Sequence, residues 1–221
     1  MTPQAATSPL DGVLRRAGAH MAEREGWMVA ADFGSLATEL AVTRAAAGLA
    51  DLSSMGKFEV SGPAAALAGL DPAGRMLRLR RAVRVEGAWW CPVSSQLLLV
   101  LCPPGNRARV RGDLEEHTAG AGVTVADVTA ERVALALLGP RAGYVLARAG
   151  TRPLPRGGLR LESIEGIPTV VVHEHERRWL LIAPSGDGAG LWRALSEAGA
   201  PVGLAYVGAD ALHQLDTGHG G

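Results

Sequence analysis

The sequence predicts an α+β fold made of two pseudo-symmetric, ferredoxin-like halves, at about residues 8–120 and 121–215. Three observations predict it. First, "DLSSMGKFEVSGPAAAL" (51–67) reads as a strand, a Gly62-Pro63 step and a helix, and "ERVALALLGPRAGYVLARAG" (131–150) repeats that unit around Gly139-Pro140. Second, "QLLLVLCPPGNRARVRGDL" (96–114) and "RWLLIAPSGDGAGLWRAL" (178–195) are each an apolar strand, a Pro/Gly turn and a helix. Third, each of these follows another strand-like run, Val83 to Val93 and Pro168 to His175. The order strand–helix–strand–strand–helix therefore occurs twice, and helices on one face of each half-sheet bury the apolar strands.

The elements follow in order. Residues 1–7 read as a disordered arm and 8–221 as one domain. Ser8 and Pro9 open a helix with Leu10, Val13, Leu14, Ala17 and Met21 on one face. A second helix runs from about Ser35 to Ala47 with Leu36, Leu40 and Ala47 inward, and Gly48 fits its end. In the strand that follows, Phe58 and Val60 point one way, Lys57 and Glu59 the other. Proline suits the first turn of a helix, where its missing N–H has no partner to lose, so Pro63 starts the next one. "RMLRLRRAVRV" (75–85) has one charged face and belongs near a sheet edge or a cleft. "RPLPRGG" (152–158) is an exposed connection between the halves, "HEHE" (173–176) is the rim of a hairpin, and His213 and His219 fall in a tail.

Composition narrows the function classes. The chain has 221 residues, 48% hydrophobic and 20% charged, with a formal net charge of zero. That balance gives no footprint for nucleic acid or for an anionic membrane surface. Lys57 is the only lysine, which reads as a compositional bias. The longest apolar run, Leu97 to Leu101, is far short of the ~20 residues of a membrane helix, and no signal peptide opens the chain. A cytoplasmic protein with two free thiols, Cys91 and Cys102, is the expectation. Their spacing does not fit a zinc motif, and His173 and His175 lack a third ligand, so no metal is expected. No phosphate loop or nucleophile elbow occurs.

Several segments carry a resemblance. Ser8-Pro9-Leu10, Gly26-Trp27, Gly48 to Asp51, Ser53 to Lys57 and Gly62-Pro63 resemble, in order, the opening of the glycine-cleavage T-protein (aminomethyltransferase) family. "DVTAERVALALLGPRAGYVL" is similar to that family's central strand–Gly-Pro–helix, and "LWRALSEAGAPVGLAYVGADAL" to a later segment. The resemblance implies a folate-binding fold in which tetrahydrofolate fills a central cavity and a one-carbon unit is taken from an amine. It covers the family's folate domain without its C-terminal barrel. The chain is similar, too, to small subunits of sarcosine-oxidase-type complexes. A homodimer, or a partner subunit such as a barrel-domain or flavoprotein chain, is therefore expected.

The resemblance also marks departures. The family's Asp-Asp strand falls near residues 86–95, where Trp89, Trp90, Cys91 and Pro92 stand and no Asp occurs. The Gly-Tyr-Thr-Gly-Glu segment is replaced by the tighter "HEHE" hairpin, and Asp216 stands in for the acid of an Arg-x-Glu-Ala-Gly segment. These changes imply a folate protein without the usual catalytic Asp, or a non-catalytic subunit or scaffold. The candidate ligand residues are Met55, Trp90, Cys102, Asn106 and Asp216. Met55 is suited to a flat ring or to core filling. Of the adjacent tryptophans, which face opposite sides, one belongs to the core and one covers a ring or a partner, and Trp90 is the candidate for the latter. Cys102 and Asn106 bound a turn that resembles one lining the folate cavity. Asn106 is equally suited to cap the following helix.

Overall fold

A computed structural model of the chain describes residues 5–70, 72 and 77–217. A small sheet comes first, ordered β1 (Ala6–Thr7), β3 (Trp27–Asp32) and β2 (His20–Arg24), with α1 (Asp11–Arg16) between its first two strands in sequence. After α2 (Leu36–Ala45) come β4 (Gly48–Asp51), β5 (Gly56–Ser61), α3 (Ala64–Ala68), β6 (Val83–Val85), β7 (Ala88–Ser94) and β8 (Leu97–Cys102). Next are α4 (Arg107–Thr118), β9 (Thr124–Asp127), β10 (Arg132–Leu138), α5 (Ala142–Arg148), β11 (Leu159–Ile164), β12 (Ile167–His175) and β13 (Arg178–Pro184). The chain closes with α6 (Gly188–Gly199), β14 (Ala205–Tyr206) and α7 (Ala209–Thr217). One sheet has six strands, ordered β11-β12-β13-β10-β4-β14, and another has five, ordered β6-β7-β8-β5-β9.

Strand alternation sorts the side chains into layers. On β10, Val133, Leu135 and Leu137 join one core cluster with Leu14, Val145, Leu191 and Leu195 of α1, α5 and α6. Ala134, Ala136 and Leu138 point the other way and pack with Leu99 and Leu101 of β8, so this second core lies between the two sheets. Phe58, Val60, Trp90, Leu98 and Val100 form a third with Leu67 of α3 and Val110 and Leu114 of α4. The result is helices, six-stranded sheet, five-stranded sheet, helices. Each fully buried Leu, Val or Phe contributes roughly 1.5–3 kcal/mol against staying exposed.

Several elements differ from expectation. Ala6–Thr7 pair with Trp27 and Met28, so the arm is ordered there; residues 1–4 lie outside the described residues, as do Arg75, Met76 and His219. The first helix ends at Arg16, and Met21 belongs to β2. Gly48 starts β4 rather than ending a helix, and it is glycine there because a Cβ would come within 2.5 Å of Thr43 Oγ1 and Val207 Cγ2. The boundary at residue 120 does not follow the sheets: β4 belongs with β10, and β9 with β5. Among the described residues of the Arg-rich stretch, Val83–Val85 alone form a strand, and it lies at the edge of the five-stranded sheet.

The chain thus passes between the two sheets at Leu52–Met55 and again at Val128–Glu131. Lys57 ties both crossings. Its N–H donates to Thr129 Oγ1 at 3.0 Å, and its C=O accepts from Val128 N–H at 2.9 Å. Its ammonium, fully buried, donates to the carbonyls of Ser53 and Met55, each at 2.8 Å. Burial pushes the amine down to about 8, while Asp51 and Asp127 pull it upward and Arg107 and Cys102 act with opposite signs more weakly.

A second buried charge ties helices. Glu39 of α2, 4% exposed, accepts from Phe33 N–H at 2.6 Å and from Gly208 N–H at 2.8 Å. Gly208 sits just before α7, so the carboxylate also meets the positive end of that helix. Glu39→Ala is expected to lower stability by about 3 kcal/mol or more, since hydrogen bonds to charged groups are worth ~1.5–3 kcal/mol each. Glu39→Gln should cost less, because its amide oxygen still accepts one of the two hydrogen bonds that alanine loses entirely. Chemical denaturation checks the order, and a loss below about 1 kcal/mol for the alanine variant leaves the tie without energetic weight.

Lys57 gives a pH-dependent expectation. Unfolded, the amine keeps its proton to its ordinary value of 10.5; folded, to about 8. Between those values the unfolded state binds more protons, so stability rises with pH. Lys57→Met lacks the titration and both donors. From pH 7 to pH 10.5 in urea unfolding, the native chain should gain up to about 3 kcal/mol relative to this variant. A difference that stays flat with pH refutes a titrating buried amine.

Candidate functional site

One cavity of about 520 Å³ opens where the two sheets, α2 and α7 meet. The β4–β5 crossing supplies Leu52 and Met55, and the β6–β7 hairpin supplies Arg84, Gly87 and Trp89. Pro103 and Pro104 come from the turn after β8. Across from them are Leu138, Gly139 and Pro140 at the end of β10, and Thr43 and Arg44 at the end of α2. The β12–β13 hairpin adds Glu174, His175, Arg177 and Arg178, and α7 adds Leu212, Leu215 and Asp216. Gly139 holds this corner together. Its φ is +97°, and a Cβ would meet the carbonyl oxygens of Thr43 at 2.4 Å and Ala46 at 2.6 Å. Its N–H donates to Arg177 O at 2.8 Å, which fixes the hairpin over the cavity.

The candidate residues divide. Met55 and Asp216 line the cavity. Trp90 does not: it is 9% exposed and packs in the outer core under α3 and α4. Trp89, paired with Leu101 across from Lys57, faces between the sheets and forms part of the cavity wall. Cys102 shares the phase of Val100, so its thiol lies in the outer core, where burial raises it to about 11. Its sulfur stands 2.7 Å from where a Cβ on Gly56 would be. Asn106 precedes α4 but makes no side-chain cap hydrogen bond, and it is not among the cavity-lining residues. The turn reaches the cavity through its prolines instead.

The polar wall centres on Arg178. Its side chain is 13% exposed, its Nε donates to Glu174 Oε2 at 2.6 Å, and its Nη1 donates to Asp216 Oδ1. A largely buried guanidinium with two carboxylates is strongly oriented, because its donors are fixed in one plane. A register shift between His173 and His175 breaks strict strand alternation within "HEHE". It leaves both Glu174 and His175 on the cavity, while His173 stacks on Trp179 at 4.4 Å and donates from Nδ1 to Leu154 O at 2.8 Å. Among the described residues, no group of three or more His, Cys, Asp or Glu is placed to hold a metal. No helix among the described residues is long and apolar enough to cross a membrane. Sequence reasoning missed Trp89, Arg178 with Glu174, and three further arginines at the cavity, Arg44, Arg84 and Arg177. The charged face expected on the Arg-rich stretch is the one signal that pointed to Arg84.

Known proteins extend this picture. An aminomethyltransferase of Streptomyces avermitilis is 30% identical over 220 residues, covering 90% of this chain and 59% of its own. One from Shouchella clausii is 30% identical over 240 residues, covering 94% and 62%. The chain thus spans about 60% of the length of these curated relatives. Among solved structures, the glycine cleavage system aminomethyltransferase T of Bartonella henselae aligns with a TM-score of 0.77 at 23% identity, over 93% of this chain and 60% of that one. A chain of the heterotetrameric sarcosine oxidase of Corynebacterium sp. U-96 aligns with a TM-score of 0.64 at 17% identity, over 88% of this chain and 95% of that one. At these identities the two structures speak to the fold, which is the mixed α+β fold of the T-protein. The GCVT N-terminal domain matches residues 10–70 and 86–220, and the chain belongs to that family.

Proposed function

We propose that this chain binds tetrahydrofolate in the cavity between its sheets and handles a one-carbon unit derived from an amine. The observation that carries the reading is the pairing of an apolar wall, Trp89 with Met55, Leu52 and Leu138, with one oriented polar group, Glu174–Arg178–Asp216. Ligand pockets of about 300–1,000 Å³ typically combine a mostly apolar lining with a few fixed polar groups, and at about 520 Å³ this one fits. Trp89 and Met55 suit a flat ring; Glu174 and Asp216 suit its N–H donors, and Arg178 its acceptors. When bound, tetrahydrofolate supplies the nitrogens that carry the one-carbon unit. Support for repeated halves comes from the strand orders β6-β7-β8-β5-β9 and β11-β12-β13-β10-β4, which place equivalent strands in equivalent positions.

β7 has no carboxylate at or beside Trp89. We read this as loss of the family's proton-handling Asp, which removes a contribution of ~10²–10⁴-fold where general acid–base catalysis operates. A second reading follows from the sarcosine oxidase likeness, where the chain matches 95% of that subunit. In that reading this chain is a non-catalytic folate-fold subunit, and a partner chain oxidises the amine.

Two expectations test these readings. Tetrahydrofolate should bind with measurable heat, and at 100 times its Kd stabilise the fold by about 2.7 kcal/mol. Trp89→Ala should weaken binding at least tenfold with a small effect on stability, whereas Trp90→Ala should cost about 3–5 kcal/mol of stability by emptying the outer core. No heat and no thermal shift with the native chain overturns the folate reading; the reverse pattern for the two tryptophans overturns the assignment of the cavity wall. Transfer of a one-carbon unit to tetrahydrofolate, assayed with a methylated amine, separates the two functions. Turnover by the purified chain supports the first, turnover only after adding a flavoprotein amine oxidase supports the second, and glycine cleavage at the rate of a full-length T-protein refutes the loss of the acid.

A further inference from the structure

The charges of α4 stand in an order that its own helix does not favour. Arg107, Arg109 and Arg111 come first, at the positive end of the helix dipole, and Asp113, Glu115 and Glu116 follow towards the negative end. The ion pairs along the helix, Arg109–Asp113 and Arg111–Glu115, place the cation first, the weaker of the two orientations. Val110, Leu114 and Thr118 are buried, so at about 100° per residue the outermost ridge is Ala108, Gly112 and Glu116, with Arg109 beside it. All four are exposed, and the Glu116 carboxylate makes no hydrogen bond or ion pair with any described residue. Gly112 stands in the middle of this face, and a Cβ there would have nothing within 4 Å. After proline, glycine is the least favourable residue in a helix interior, and no contact within this chain uses its missing Cβ.

We infer that the outer face of α4 is a self-association surface, on which a second copy of this chain docks its own α4 antiparallel, across a two-fold axis at Gly112. A two-fold contact must be complementary to itself. Reversing one helix sets the basic half of each copy against the acidic half of the other, and it also opposes the two helix dipoles. Arg109 then lies beside Glu116 of the second copy, Arg111 reaches Glu115 of the second copy, and each pair occurs twice. The missing Cβ lets the two backbones come close where the helices meet. A purely acidic or purely basic partner would match half of the face; the same charge order reversed matches all of it. At 12 residues α4 is about 18 Å long, so one such contact falls short of the roughly 1,000 Å² of a stable interface, and the association is weak and reversible.

Sedimentation equilibrium of the native chain tests this. Dimers should form at about 0.1–0.5 mM protein and weaken at least tenfold between about 50 and 500 mM salt, as the screening length shrinks. Gly112→Gln should weaken the dimer about tenfold or more while raising the thermal midpoint, because glutamine is the better helix former and has room there. A glycine needed for the fold alone would lose stability instead. Arg109→Glu/Arg111→Glu and Glu115→Arg/Glu116→Arg should each be monomeric alone and form a one-to-one dimer when mixed, since the mixture restores opposite charges along the whole contact. A native chain that stays monomeric overturns the inference, as do a dimer that Gly112→Gln leaves unchanged and charge variants that fold but do not pair. Arg109 also holds the β6–β7 turn through Glu86. If its variant fails to fold, Gly112→Gln and the salt series decide: association weakened by both upholds the surface, and association that either leaves unchanged overturns it.

Discussion

The architecture depends on a polar knot at one residue. Two sheets packed face to face must be joined by backbone that leaves one ladder and enters the other, and backbone groups at such a crossing have no strand partner. This chain makes the crossing twice, and Lys57 satisfies groups on both passages through its own N–H, C=O and ammonium. Ser53 and Asp51 extend the knot: Ser53 N–H and Oγ donate to Asp51 Oδ1 at 2.9 and 2.5 Å, and Leu52 N–H donates to Ala134 O at 2.8 Å. Desolvation raises the Asp51 carboxyl, against the hydrogen bonds of Ser53 and Ser8 and the charge of Lys57. An ammonium is compact and can turn its donors onto two convergent carbonyls, whereas a planar guanidinium is larger and fixed in shape. That distinction explains why a chain that uses arginine at every other basic position keeps a lysine here. Compositional bias alone accounts for the arginines but not for the exception.

Much of the fold was legible because hydrophobic period and Gly-Pro punctuation agree. Both strand–Gly-Pro–helix units exist, at β5–α3 and β10–α5, and Ser35 accepts from Thr38 N–H at the start of α2. Three hairpins are marked only faintly in the sequence. Glu25-Gly26, Glu86-Gly87 and Glu165-Gly166 each have positive φ at both residues, as a two-residue type I′ turn requires. Glu-Gly is a weaker signal than Asn-Gly or Asp-Gly, because glutamate adopts that conformation reluctantly. Those turns set β2 apart from the first helix and divide the Val83–Val93 run into β6 and β7.

The site was legible in part, and its limits are those of phase and distance. Alternation requires Trp89 and Trp90 to face opposite ways, but it does not say which way is inward. The answer lay in register with β5: Trp90 pairs with Val100, which pairs with Phe58, and Trp89 pairs with Leu101, which pairs with Lys57. The face of β5 carrying Phe58 is covered by helices, and the face carrying the lysine meets the other sheet. Arg178, Glu174 and Asp216 are joined only by the tertiary fold, and the register shift at His173 to His175 that places Glu174 on the cavity leaves no mark in the pattern.

The position of β4 has a consequence during synthesis of the chain. Its four residues pair with β10 on one side and β14 on the other, and β14 is near the end. At about 5–20 residues per second, a ribosome needs roughly 10–30 s to travel from the first of these strands to the last. Until β10 is made β4 has two open edges, and until β14 is made it has one, each a template for a neighbouring nascent chain. Gly48-Leu49-Ala50-Asp51 is a poor template: it is short, begins with glycine and ends in a charge. The strand that must wait longest for its partners is also among the least able to find the wrong ones.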